Sequence, residues 1–144
     1  MKKLVKVALM CCAAVVCGFT MVGCNPEVTG DMLYDVTVAS GTLSGDYMSY
    51  KSYAESTILD AVRATGAIQT DAENTYFMLN GSPRDCDKKI SAAVAKAMDS
   101  IEAREDYNTT SFKIDGVTVV VERAIRESQT KIVFSRKFKA QKSN

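Results

Sequence analysis

The 144-residue chain contains no histidine and no tryptophan. A Ser-His-Asp triad, a Cys-His dyad and a histidine-ligated zinc are thereby excluded, because each needs an imidazole that titrates near neutrality or offers a nitrogen lone pair. A basic excess is lacking too: 18 Lys and Arg stand against 17 Asp and Glu, a formal charge of +1. So even a balance argues against nucleic acid as a partner. There are no repeats and no low-complexity segments. Cysteine is scarce where a folded body is expected, since Cys11, Cys12, Cys17 and Cys24 crowd the beginning and leave Cys86 alone beyond it.

What is present begins with Met1-Lys2-Lys3-Leu4-Val5-Lys6, followed by an uncharged run from Val7 to Gly23 and then Cys24. Three lysines, an apolar run too short to cross a bilayer comfortably and a small residue before the cysteine have the layout of a signal peptide. Met21-Val22-Gly23-Cys24 resembles the lipobox of bacterial lipoproteins, with Met21 where that family usually has Leu. The resemblance covers residues 1–24 only. It implies that the Cys24 thiol receives a diacylglyceryl group, that the bond before it is cut, and that Cys24 becomes an acylated N-terminus. Two or three chains give a lasting anchor where one is marginal, at about 0.8 kcal/mol per buried methylene. The resemblance also implies a bacterial cell envelope location. Asn25 stands where an Asp typically retains such proteins in the inner membrane, so the outer membrane is expected in a cell with two.

This division reads residues 1–23 as signal peptide, 24–30 as lipidated cysteine and tether, and 31–144 as one domain. With Cys24 a thioether, Cys86 has no partner for an intrachain disulfide. Cys86 shares a helical register with Ile90, Val94 and Ile101 and reads as a small buried hydrophobe. Loss of Lys2, Lys3 and Lys6 leaves 15 basic and 17 acidic groups. They are unevenly spread. Residues 24–117 carry 8 basic and 15 acidic side chains, whereas 118–144 carry 7 and 2.

Period-two alternation from Met32 to Ala39 predicts a strand with Met32, Tyr34, Val36 and Val38 on its buried face. Asp46 is placed to cap a helix with Tyr47, Tyr50, Ala54, Ile58, Ala61 and Val62 on one side, closed by Gly66. Thr75 to Leu79 reads as a short buried strand. Ser82, Pro83 and Asp85 form a strong helix start, and the stripe behind it is Cys86, Ile90, Ala93, Val94, Ala97 and Ile101. Ser111–Ile114 and Val117–Val121 flank Asp115-Gly116, which predicts an antiparallel hairpin. A last strand from Thr130 to Phe138 places Ile132, Phe134 and Phe138 on one face. The expectation is a small α+β domain in the order β-α-β-α-β-β-β, with an antiparallel or mixed sheet of about five strands and two helices on one face.

Little of this carries chemistry. Asp85-Cys86-Asp87 cannot converge on one ion, because consecutive helical side chains point about 100° apart. Asp71-Ala72-Glu73-Asn74 lacks the calcium-loop pattern and reads as a turn. Asn108-Thr109-Thr110 matches a glycosylation acceptor that a bacterial lipoprotein does not normally present to that machinery. Tyr34, Tyr47, Tyr50, Tyr53, Tyr76 and Tyr107 offer contact area, with Tyr47 and Tyr50 in the core stripe and Tyr53 outside it. Arg136, Lys137, Lys139 and Lys142 form a basic end suited to an acidic partner or anionic headgroups, at roughly 1 kcal/mol per cation, or to shielding an edge strand. The resulting expectation is an envelope lipoprotein that binds or assembles without catalysis, metal or cofactor. The alternatives are a carboxylate-based hydrolase of an envelope substrate, which needs two acids set in a cleft, and a structural subunit of an envelope assembly.

Overall fold

A computed structural model describes residues 28–39, 47–107, 114 and 116–139. Its elements are β1 (Gly30–Ala39), α1 (Tyr47–Arg63), β2 (Ile68–Gln69), β3 (Tyr76–Gly81), α2 (Pro83–Glu102), β4 (Thr118–Arg126) and β5 (Gln129–Lys137). The five strands form one sheet in the order β2-β3-β1-β4-β5, with every neighbouring pair antiparallel. This is the α+β domain expected. Its order among the described residues is β-α-β-β-α-β-β, because the two-residue β2 precedes β3.

Alternation makes β1 two-faced: Tyr34, Val36 and Val38 are buried, while Leu33 and Thr37 face outward. Phe77 and Leu79 of β3 and Val119 and Val121 of β4 join the buried side. Both helices cover it. α1 contributes Ala54, Ile58, Leu59 and Val62, and Gly66 at φ 96° turns the chain after it. Tyr50 is half-buried against the same core. α2 begins as its cap residues dictate: Ser82 Oγ accepts from the Asp85 N–H at 3.2 Å, and Pro83 occupies the first turn. Its buried residues are Cys86, Ile90, Val94, Ala97, Met98 and Ile101. Each large aliphatic side chain so buried contributes about 1.5–3 kcal/mol.

Two expectations are corrected. Of the expected hairpin partner Ser111–Ile114, residues 111–113 lie outside the described residues and Ile114 is in no strand, while Thr118–Val121 already has both edges taken, by β1 on one side and β5 on the other. Glycine at 116, with φ 83°, still turns the chain, and the Phe138 N–H donates to the Val117 carbonyl at 2.9 Å. Second, Ile132 does not share a face with Phe134 and Phe138. Val121 pairs with Phe134 and Glu122 with Ile132, so Val133 is an extra residue and the alternation flips across it. Phe138 is buried and Ile132 is 59% exposed. Asp46, residues 108–110 and Lys142 lie outside the described residues.

Candidate functional site

The basic end of the chain is divided by the sheet's two faces. Arg136 pairs with Val119 in register and therefore points to the helix side, where its guanidinium donates to Asp99 at 2.8 Å and also to Glu102. Glu102 further accepts the Lys139 N–H at 2.8 Å. The acids of the last turns of α2 thus hold the end of the sheet to the helix, a structural use that the composition of 118–144 does not reveal. Lys137 pairs with Thr118 on the opposite face and is exposed, as is Lys139.

A second charged cluster lies beneath the start of α2. Asp87 accepts from the Tyr34 hydroxyl at 2.7 Å and from Arg123 Nε at 2.7 Å and Nη2 at 3.3 Å. Burial, then the neighbouring carboxylate, pushes the Tyr34 phenol far above its ordinary value. The same two causes raise the Cys86 thiol, and the hydrogen bond to Asp87 raises Arg123. No buried side-chain nitrogen or oxygen among the described residues is left without a partner, so the cluster fixes α2 over β1 and β4. The sequence around Asp87 excludes a metal site but does not reveal this role. Its role depends on Tyr34 and Arg123, both remote in sequence.

Two grooves flank α2. One, of about 430 Å³, runs between the helices and is lined by Thr57, Ala61, Ala64, Ala93, Lys96 and Ser100 among others. The other, of about 330 Å³, lies between α2 and β5 and is lined by Asp87, Lys88, Ser91, Lys131, Val133 and, at the sheet's edge, Ile132. Neither brings two carboxylates together. Among the described residues no group of three or more Cys, Asp or Glu is placed to hold a metal ion.

The sheet face that no described helix covers is different. Tyr76, Asp35, Glu122 and Ile132 follow one another across β3, β1, β4 and β5 as a single cross-strand row. The adjacent row is Ile68, Met78 and Leu33 across β2, β3 and β1. Tyr76 is 44% and Ile68 70% exposed. Asp35 accepts from the Thr37 and Thr75 hydroxyls, at 3.3 and 2.5 Å, and Glu122 accepts from the Thr130 hydroxyl at 3.1 Å. Neither carboxylate is ion-paired among the described residues. Of the tyrosines, Tyr34 is buried, Tyr53 stacks beneath Arg104 at 4.9 Å, and the Tyr107 hydroxyl donates to the Lys139 carbonyl. No family model, curated protein or solved structure matches the chain.

Proposed function

We propose that the chain is a lipid-anchored protein of the bacterial envelope, acylated at Cys24, whose α+β domain binds a partner without catalysing a reaction. The observation that carries this reading is the N-terminal pattern: three lysines, an uncharged run and Met21-Val22-Gly23-Cys24, six residues before β1 begins at Gly30. The domain supports a binding role through a sheet face that no described helix covers and that carries exposed Tyr76, Ile68 and Ile132. No helix among the described residues is long and apolar enough to cross a membrane. Attachment in this reading is by acyl chains. Outer-membrane placement, in a cell with two membranes, is what the lipoprotein resemblance implies for Asn25 after the cysteine.

The mass of the native N-terminal peptide tests the anchor. It is expected to start at Cys24 and to carry a diacylglyceryl group and an amide-linked acyl chain. Cys24→Ser is expected to leave an uncleaved chain that retains Met1. Native material carrying Met1, or an unmodified sulfur at Cys24, overturns the reading.

A further inference from the structure

The centre of the face that no described helix covers breaks a pairing rule, and its two acids are answered only by neutral hydroxyls. Asp35 and Glu122 are direct cross-strand neighbours, which places their Cβ atoms about 5 Å apart, and like charges at that position are destabilising. Both are half-buried, so water screens them incompletely. Threonine hydroxyls orient them, yet no cation among the described residues answers them. The residues on either side in the row, Tyr76 and Ile132, are large and exposed, as is the Ile68-Met78-Leu33 row beside them. Antiparallel sheets that face water ordinarily present polar side chains there. A face combining apolar rows with an unanswered acid pair is complementary to one chemistry: a cation held between apolar groups.

We propose that this face is a docking surface for a partner protein segment that presents an arginine flanked by apolar residues. A guanidinium suits the pair better than an ammonium does. It is planar, donates to two carboxylates at once and stacks on an aromatic ring, here Tyr76 beside Asp35. The flanking apolar side chains then cover Ile68, Met78 and Leu33. The row from Tyr76 to Ile132 crosses three inter-strand gaps of about 4.8 Å, roughly 14 Å, a length that five extended residues span. A second copy of the chain fits less well. Among the described residues Lys137 is the lysine that register places on this face, and it lies at a corner away from the acid pair. This inference rests on the binding half of the proposed function and is independent of the anchor.

The test uses the full chain in detergent and a fluorescein-labelled eight-residue peptide in which two arginines alternate with leucines. Two control peptides carry citrulline or glutamate at the arginine positions. The arginine peptide is expected to raise anisotropy and the controls to do so at least ten-fold more weakly. The double variant Asp35→Asn, Glu122→Gln is expected to lose at least ten-fold in affinity while keeping the far-ultraviolet spectrum, and Ile68→Asp to lose a comparable amount. Equal binding of all three peptides, or binding unchanged by the double variant, overturns the proposal. Sedimentation showing a dimer that Ile68→Asp dissociates overturns it as well, since the occupant is then a second copy. None of these outcomes alters the mass of the N-terminal peptide, so failure here and failure of the anchor are separately visible.

Discussion

At the scale of single residues, two carboxylates in opposite situations show how context decides whether a charge stabilises. Asp87 is answered by Tyr34 and Arg123, whereas Asp35 faces Glu122. The Tyr34 phenol ordinarily titrates near 10.0 and is raised in the fold by burial and by Asp87. Its contribution is therefore fully present below pH 10 and is lost as pH rises beyond that, where the unfolded chain releases the proton and the folded one retains it. Urea unfolding of the wild type is expected to show falling stability above pH 10, and Tyr34→Phe to flatten that fall. At pH 7 the variant is expected to lose about 1.5 kcal/mol, the size of a hydrogen bond to a charged acceptor. A variant as sensitive to alkali as the wild type places the titrating group elsewhere. Asp35→Asn is expected to act in the other sense, raising stability by up to about 0.5 kcal/mol through relief of a like-charge pair. A lower urea midpoint for Asp35→Asn shows that the isolated chain already compensates the pair.

At the scale of elements, the legible parts are those whose signals are local. Ser82-Pro83 and Asp85 fix the start of α2 within one turn, and strict alternation fixes β1, because neither depends on a partner. The pairing of β4 was not legible. Asp115-Gly116 carries a hairpin signal, but the edges of a strand are filled by whichever segments bury most apolar surface, and β1, far earlier in the chain, takes one of them. The flip at Val133 was hidden for a related reason: Ile132-Val133-Phe134 is apolar throughout and gives no period to interrupt. The face of Arg136 and the meeting of Asp35 with Glu122 both follow from sheet register, so the candidate site was the least visible part. One junction between elements offers a sharp test. A Cβ at Gly81 would stand 2.9 Å from Cys86 Sγ, whose thiol lies 3.7 Å from the Leu79 carbonyl in a buried position. Gly81→Ala is expected to destabilise by about 1–3 kcal/mol through overpacking and a positive φ of 153°. Adding Cys86→Ala removes the clash, so the two losses measured by urea unfolding should sum to more than the double variant shows. Strict additivity locates the cost in the backbone alone.

At the scale of the whole molecule, the antiparallel register gives the domain two unlike poles. Gly30, the first residue of β1, pairs with Gly81 beside the start of α2, while Ala39 pairs with Thr118 and Thr118 with Lys137. Ten residues of β1 separate these poles by about 30 Å. The five residues between Cys24 and Gly30 reach at most about 20 Å. If Cys24 is acylated, a domain standing on its tether points Lys137 away from its own bilayer, and only a domain laid on its side brings the basic pole to anionic headgroups. The sheet face that no described helix covers runs between the poles and stands clear of the bilayer in the standing orientation. Fluorophores at Asp31→Cys and Lys137→Cys, with the protein in vesicles containing a headgroup quencher, distinguish the two. Cys86 is buried and does not compete for the label. Strong quenching at residue 31 and little at 137 is expected. Equal quenching at both means that the domain lies flat and that the basic pole is a membrane contact instead.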